Sequence, residues 1–304
     1  MRKGKYPFIA AMLLPPVALY AVFVLSPYVQ AFQISFTDWT GLTAKKNYVG
    51  FANYDYLYHD STFWTSVKHN LIALPVIIVF TIGLGLFFAA MLNSGGRKGK
   101  AAVQGVRGSS FYKIVYFFPY ILSVVVVGVL WEFVYDSTDS GLLNGFLKLF
   151  GVHPIDWTGS TSIAFWAILA VVIWSSVGFY VVLFSAAMAS IPAELYEAAI
   201  LDGASRWKTF SSLTIPLMWD TLQVGVIYLG IQALDLYAIV STMSAGGNGG
   251  PDNSTQVIST WLYQTGFKFG TFGRASAMGV ALLILTLGLT AIAFGLSRRE
   301  RLEF

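Results

Sequence analysis

Long apolar runs alternate with short polar stretches along the whole chain. A helix needs about 20 apolar residues to cross the hydrocarbon core of a bilayer, because only its internal hydrogen bonds can satisfy the backbone there. Six runs reach this length, and we predict that each forms one transmembrane helix. They cover residues 8–32, 71–92, 114–134, 162–189, 217–240 and 275–296. The pattern predicts an all-α membrane protein in which residues 1–304 form a single transmembrane domain.

The first run follows three basic residues, Arg2, Lys3 and Lys5, as the apolar core of a signal peptide does. Residues 29–31 also have the composition of a cleavage site. However, the run is longer than the 7–15 residues of a signal core. We therefore expect an uncleaved first helix.

Lysine and arginine are enriched in the cytoplasmic segments of membrane proteins, so their distribution predicts orientation. With both termini in the cytoplasm, 13 of the 19 Lys and Arg residues fall in cytoplasmic segments and 6 fall outside. The largest cytoplasmic group comprises Arg97, Lys98, Lys100, Arg107 and Lys113. This bias predicts an even number of spans, with both ends on the cytoplasmic side.

The composition agrees with a protein that is solvated by lipid. Hydrophobic residues make up 56% of the 304 residues, charged residues make up 11%, and the mean hydropathy is +0.66. The net charge of +4 does not indicate nucleic-acid binding, because the basic residues lie between apolar runs instead of forming a stripe with aromatics. The absence of cysteine excludes disulfides, thiolate metal sites and a cysteine nucleophile.

The segment 190–216, between the fourth and fifth runs, carries the signals of a short polar helix. Pro192 suits the first helical position, where its missing N–H has no effect. Glu194 and Glu197 lie in the first turns, where the helix dipole favours anions. Gly203 is expected to end the helix, because glycine enters the left-handed conformation readily. These signals predict a helix of about eleven residues that is about 16 Å long.

This predicted helix is too polar to enter the membrane, and spans hold it at both ends. Such a helix can transmit a movement from a cytoplasmic partner to the spans. It can also be an interfacial helix that only connects two spans. The residues alone leave both interpretations open.

The same segment resembles the EAA loop of bacterial ABC importer permeases. It reads Glu197-Ala198-Ala199, three residues, Gly203, nine residues, then Leu213-Thr214-Ile215-Pro216. The resemblance implies the type I ABC importer permease fold, with a cytoplasmic coupling helix that docks into a cleft of an ATPase subunit. The residues implied in coupling are Glu194, Glu197, Ala198, Ala199, Asp202, Gly203 and Arg206.

Further matches spread over most of the chain and resemble the carbohydrate, maltose-type branch of this family. They comprise residues 48–54, 118–120 with Trp131, 141–144, and 249–251 followed by Thr255. The resemblance implies a permease subunit for a sugar or oligosaccharide. It also implies a second, related permease subunit, two ATP-binding subunits and an extracytoplasmic sugar-binding protein as partners, besides membrane lipid.

Catalytic chemistry has little support in the sequence. Residues 94–101 contain a Gly-Lys pair, but they lack the first glycine and the final hydroxyl of a phosphate loop. His59, His69 and His153 lie apart, without the spacing of metal ligands, so we expect interfacial residues. We therefore expect no cofactor, no metal and no enzyme activity in this chain, with ATP hydrolysis on a separate subunit.

Polar residues in the fourth and fifth runs mark a candidate path for the solute. Tyr228, Gln232 and Asp235 follow each other at i, i+4 and i+7, which predicts one helical face. Polar groups inside a membrane are costly, so they face a water-filled path or bond to neighbouring helices. The resemblance to the maltose-type family adds residues of the fourth run as substrate contacts. These are Ser175, Ser176 and Phe179.

Two other functions stay open. One is an ABC permease for a solute that is not a sugar. The other is an ion-coupled secondary transporter, which would need repeated halves and a paired ionisable residue near the midplane. Neither feature is visible in the sequence.

Overall fold

The computed structural model describes residues 5–43, 45–93, 106, 108–247 and 249–296. Helices dominate the described residues, and the extended pairings there are two isolated bridges, Thr37 with Tyr48 and Ala245 with Gly250. The chain forms two compact units. Met1–Trp64 with Trp261–Ile284 make the first, and Thr65–Thr260 with Leu285–Phe304 make the second.

The helices are labelled in chain order. They are α1 Lys5–Tyr20, α2 Ser26–Ile34, α3 Ala52–His59, α4 Ser61–Asn93, α5 Ser109–Ile121, α6 Val124–Val134, α7 Leu142–Lys148, α8 Ala164–Ala189, α9 Ala193–Leu201, α10 Arg206–Thr209, α11 Ile215–Leu217, α12 Trp219–Leu234, α13 Tyr237–Met243, α14 Ile258–Tyr263 and α15 Phe272–Leu296. Short π-helical segments follow α1, α10 and α14, at Ala21–Leu25, Phe210–Thr214 and Gln264–Lys268.

Four of the six predicted spans are single helical segments of sufficient length. They are Phe8–Ile34, Ser61–Asn93, Ala164–Ala189 and Phe272–Ile292. The second begins ten residues before the predicted start, because Asp60 caps it: its carboxylate accepts a hydrogen bond from the Thr62 N–H at 2.9 Å.

The third predicted span, 114–134, is a bent pair of helices and not one straight helix. It consists of parts of α5 and α6, which meet at an angle of 97°. The last turn of α5 closes on Pro119, whose carbonyl accepts the Leu122 N–H at 3.3 Å. Leu122 and Ser123 then have ψ angles of 144° and 136°, outside the helical range, so the chain changes direction before α6 begins.

The fifth predicted span, 217–240, is also broken. The helical segment up to Leu217 and α12 are bent by 72° around Met218. Pro216 therefore lies in the three-residue helix α11 before the bend and does not open the span. At the other end, α12 stops at Leu234 and α13 starts at Tyr237. Hydropathy does not reveal these breaks, because the residues around them are also mostly apolar.

Helix α8 forms the centre of the second unit. More than half of its residues are buried, including Tyr180 and Phe184. It has no polar face, as expected for a helix that other helices surround. Gly178 lies against the backbone of α5, where a Cβ atom would overlap the carbonyl oxygen of Tyr116. The missing side chain therefore allows α5 to approach α8 closely.

Candidate functional site

The helix α9 forms in the predicted loop, with corrected limits. It covers nine residues, Ala193–Leu201, and not about eleven. Pro192 precedes the helix as its N-cap and does not occupy the first helical position, because its ψ of 137° is extended. Glu194 lies in the first turn, where the positive end of the helix dipole favours a carboxylate.

Gly203 ends α9 as the sequence predicts. Its φ is +73°, in the left-handed region. Its N–H bonds to the carbonyl of Ile200 at 3.0 Å, and the N–H of Ala204 bonds to the carbonyl of Ala199 at 2.9 Å. These two bonds form a Schellman motif, which satisfies carbonyl groups at the helix end and fixes the turn that follows.

Tyr196 connects α9 to the π-helical segment that follows α10. Its hydroxyl lies 3.2 Å from the hydroxyl of Thr214, at the end of the second π-helical segment. Burial raises the pKa of Tyr196, while the hydrogen bond with Thr214 acts in the opposite direction. The sequence analysis did not select this residue, because its partner Thr214 lies 18 positions further along the chain.

The outer side of α9 and the turn after it carry both charged and apolar groups. Six of the seven residues predicted for coupling are exposed there, and Ala199 is half-buried. The exposed ones are Glu194, Glu197, Ala198, Asp202, Gly203 and Arg206. The prediction missed Leu201 and Trp207, which are 87% and 75% exposed. A compact surface that combines large apolar side chains with charges has the composition of a protein-docking site.

A second group of candidate residues lies where α5, α8 and α12 meet. The ring of Phe179 stacks on Tyr120, with centroids 4.9 Å apart and planes 27° apart. Tyr228 is also close, with its ring centroid 6.2 Å from that of Phe179. The structure thus brings together two predicted residues and adds Tyr120. In the sequence, Tyr120 belongs to the family-like segment 118–120, but its contact with Phe179 was not predicted.

Ser176 and Gln232 connect α8 to α12 next to this aromatic group. The Gln232 Nε2 atom donates a hydrogen bond to the Ser176 hydroxyl at 3.3 Å. The Gln232 Oε1 atom is buried and has no hydrogen-bond partner among the described residues. Ser175 behaves differently, because its hydroxyl bonds to the carbonyl of Val172 in its own helix at 3.0 Å. We refer to Tyr120, Ser176, Phe179, Tyr228 and Gln232 as the aromatic–amide cluster.

The prediction that Asp235 continues the helical face of Tyr228 and Gln232 is wrong. Asp235 follows the end of α12, with φ −110° and ψ 74°, and its side chain is exposed. Its N–H bonds to the carbonyls of Ile231 and Gln232, both at 3.2 Å. The helix therefore ends two residues after Gln232, and the i, i+7 relation no longer places Asp235 on the same face.

Asn70 in α4 holds this break in place. Its amide nitrogen donates to the carbonyls of Ala233 at 3.1 Å and Leu234 at 3.4 Å. Its amide oxygen accepts the N–H of Ile258 at 2.9 Å. The side chain is fully buried. A helix end leaves carbonyls without intrahelical partners, so Asn70 stabilises the end of α12 directly beyond Gln232.

We expect Asn70→Leu to destabilise the protein by about 3 kcal/mol, because the Ile258 N–H and the Ala233 carbonyl lose their buried partner. The matched control is Asn93→Leu on the same helix, where the amide bonds mainly to its own helix, at Ala89. Thermal denaturation of the purified protein measures the difference. Equal melting temperatures for the two variants would contradict the role of Asn70.

Two further features of the sequence were considered as a nucleotide site and as metal ligands: the Gly-Lys segment and the three histidines. Segment 94–101 lies outside the described residues, as do Arg107 and the basic residues after Leu296. His69 is half-buried, stacks on Phe165 at 4.6 Å, and its Nδ1 atom donates to the Gln256 carbonyl at 2.7 Å. Within the described ranges, no group of three or more His, Asp or Glu residues could hold a metal ion.

The long apolar helices, with a short exposed helix between two of them, are those of a multi-pass membrane protein. The chain belongs to the family of binding-protein-dependent transport system inner membrane components, whose family model matches residues 100–302. The prediction of an ABC importer permease is confirmed at this level. Membership also identifies the chain as a transport component and not an enzyme.

Sequence similarity to known permease proteins extends over almost the whole chain. The diacetylchitobiose uptake system permease protein NgcF of Streptomyces coelicolor is 41% identical over 294 residues, which cover 96% of this chain and 82% of that protein. The trehalose/maltose transport system permease protein MalF of Thermococcus litoralis is 29% identical, with 95% and 93% covered. The family favours the importer permease over the ion-coupled transporter considered above.

Solved structures support the predicted fold class. A chain of a bacterial alginate ABC transporter, in complex with a periplasmic protein that holds an alginate pentasaccharide, superimposes with a TM-score of 0.81. The two chains share 22% identity, and the match covers 96% of this chain and 94% of the other. This likeness confirms the all-α ABC permease fold.

Proposed function

We propose that the chain is one permease subunit of an ATP-driven importer for a sugar or oligosaccharide, and that the aromatic–amide cluster contacts the solute. The observation that carries the proposal is the cluster itself. It combines the faces of Phe179 and Tyr228 with the uncharged polar pair of Ser176 and Gln232. The names of the relatives, which refer to diacetylchitobiose and to trehalose and maltose, point to the same class of solute.

The chemistry of a sugar matches these groups. A pyranose ring presents C–H surfaces that pack against aromatic faces, and hydroxyls that need hydrogen-bond partners. Gln232 offers its unpartnered Oε1 as an acceptor, and Tyr228 offers an exposed aromatic side chain. A buried acceptor without a partner costs about 1–3 kcal/mol, so its place beside an aromatic group is best explained by a ligand that can pair with it.

The proposal also includes the partners and the orientation. Both termini are cytoplasmic, which agrees with the distribution of Lys and Arg, and α9 then lies on the cytoplasmic side. There it docks on one of two ATP-binding subunits, while a second, related permease completes the path. An extracytoplasmic binding protein delivers the sugar from the other side.

In this arrangement α9 transmits the movement of the ATP-binding subunits. It is short, closed by the Schellman motif at Gly203 and braced by Tyr196 against Thr214. The segment Arg206–Leu217 then leads directly into α12, which carries Tyr228 and Gln232. A displacement of α9 therefore reaches the proposed solute contacts through one short segment of chain, which bends by 72° around Met218 before α12.

We expect Gln232→Ala to reduce sugar uptake about fivefold to tenfold, the effect of losing one hydrogen bond of about 1–1.5 kcal/mol. The control is Ile231→Ala, the neighbouring exposed residue on α12. Uptake of a labelled disaccharide, such as di-N-acetylchitobiose, into proteoliposomes with the complete importer measures the effect. Normal uptake by both Gln232→Ala and Tyr228→Ala would remove the aromatic–amide cluster from the path.

A further inference from the structure

The helix α7 and the turn after it expose four large apolar side chains on one side. Leu142 is 71% exposed, Phe146 55%, Leu149 79% and Phe150 70%. Their spacing of four, seven and eight residues places them on one helical face. The rings of Phe146 and Phe150 contact each other, with centroids 5.3 Å apart. Such a contiguous apolar face is costly in water.

The opposite side of α7 is fixed to the rest of the second unit by Asn144, which is 1% exposed. Its amide nitrogen donates to the carbonyls of Asp136 and Ile155, both at 2.9 Å. Its amide oxygen accepts the Ile155 N–H at 3.1 Å and the Trp157 Nε1–H at 3.0 Å. These four bonds use every donor and acceptor position of the amide, so α7 has a defined orientation.

The hydrogen bond to Asp136 also ties α7 to the polar segment that follows α6. Asp136 follows the apolar helix α6 by two residues, and α8 begins again at Ala164. The polar segment 136–140 marks the place where the chain leaves the hydrocarbon region. The hydrogen bond therefore keeps α7 beside the polar end of α6.

Helix α6 also exposes large apolar side chains. Leu130 and Phe133, near the end of α6, are exposed and large, as expected for side chains that face lipid. Lys148 and Asp139, by contrast, pair with each other in water-exposed positions at the edge of α7. This combination of an apolar face and a charged edge is typical of a helix that lies in the plane of the membrane interface.

We propose that the apolar face of α7, formed by Leu142, Phe146, Leu149 and Phe150, binds the lipid bilayer. The face lies in the interface between headgroups and acyl chains, at a depth of about 5–10 Å. It anchors the connection between α6 and α8 at a fixed depth, so that the two helices do not shift along the membrane normal. The proposal depends on membrane insertion of these helices and not on the identity of the solute.

The absence of native cysteine allows a direct test, because a single introduced cysteine carries the only spin label. Leu149→Cys and Phe146→Cys report on the face, and Ser140→Cys, exposed in the polar segment, is the matched control. The full-length protein with its partner subunits is reconstituted in vesicles of phosphatidylcholine and phosphatidylglycerol. Power-saturation electron paramagnetic resonance then compares collisions with oxygen and with a water-soluble nickel chelate.

We expect oxygen to relax the labels at 149 and 146 more than the nickel chelate does, and the reverse at 140. Stronger relaxation by nickel at 149 and 146 would show a water-exposed face and overturn the proposal. Protection from both reagents would show that a protein covers the face, which also overturns it. Leu142→Cys serves as a further position if either labelled variant does not assemble.

Discussion

Replacing Gly178 with alanine is expected to separate α5 from α8 and to destabilise the protein by about 3 kcal/mol, at the upper end of the range for overpacking. The added Cβ atom would overlap the carbonyl oxygen of Tyr116 and would lie 3.0 Å from the Cα of Phe117. Both obstacles are backbone atoms, so no flexible side chain can move aside. The aromatic–amide cluster should be lost with this packing, because Tyr120 reaches Phe179 from α5.

The matched control is Gly83→Ala in α4, where no atom lies within 4 Å of the added Cβ. Alanine in an open helical position should stabilise the helix by about 0.5–1 kcal/mol relative to glycine. Size-exclusion chromatography after heating of the purified variants gives the two melting temperatures. A melting temperature of Gly178→Ala equal to the wild-type value would contradict the close packing of α5 on α8.

The sequence was sufficient to locate the apolar segments, because the need for lipid solvation acts on each segment separately. It did not give their directions. The turns at Leu122 and Ser123, at Met218 and at Asp235 depend on backbone angles and on tertiary partners such as Asn70. A hydropathy profile averages over these positions, and so it joined helices that the structure separates.

The candidate site shows the same division. Gln232 could be selected from the sequence because a polar residue in an apolar span requires a partner, and Ser176 was selected from the family resemblance. Tyr120 could not, since a tyrosine in a span is also compatible with lipid contact. Its place next to Phe179 follows from the approach of α5 to α8 at Gly178, which only the structure reveals.

Around α9, the sequence predicted the features that depend on neighbouring residues and missed those that depend on how the loop is placed in the fold. The end of the helix at Gly203 follows from the preference of glycine for positive φ, which acts within a few residues. The exposure of Leu201 and Trp207 instead depends on how the turn after the helix is placed. The coupling residues were chosen by charge and by family resemblance. Leu201 and Trp207 were not among them, because apolar side chains are normally assigned to a core.

Replacing Gly203 with aspartate is expected to reduce sugar uptake at least about tenfold, a loss of about 1.4 kcal/mol or more in coupling, while the protein still inserts and assembles. The substitution adds a negative charge beside Asp202 and Glu197 on the exposed side of α9. It also places a side chain at a φ of +73°, which costs about 1–3 kcal/mol for a residue other than glycine. Under the proposed function, both changes act where the ATP-binding subunit docks.

The control separates docking from backbone strain. Gly151 has a φ of +75° and, like Gly203, has no atom within 4 Å of an added Cβ. Gly151→Asp therefore introduces the same charge and a similar backbone strain, but in an exposed loop far along the chain from α9. We expect Gly151→Asp to keep uptake near the wild-type level.

Ala199→Asp, which leaves the Schellman glycine intact, should lose uptake as Gly203→Asp does. ATP hydrolysis and uptake are measured on the same proteoliposomes, because coupling is the ratio of the two rates. If Gly203→Asp and Ala199→Asp both transport at the wild-type rate per ATP hydrolysed, α9 only connects two spans, and the force must enter the subunit elsewhere.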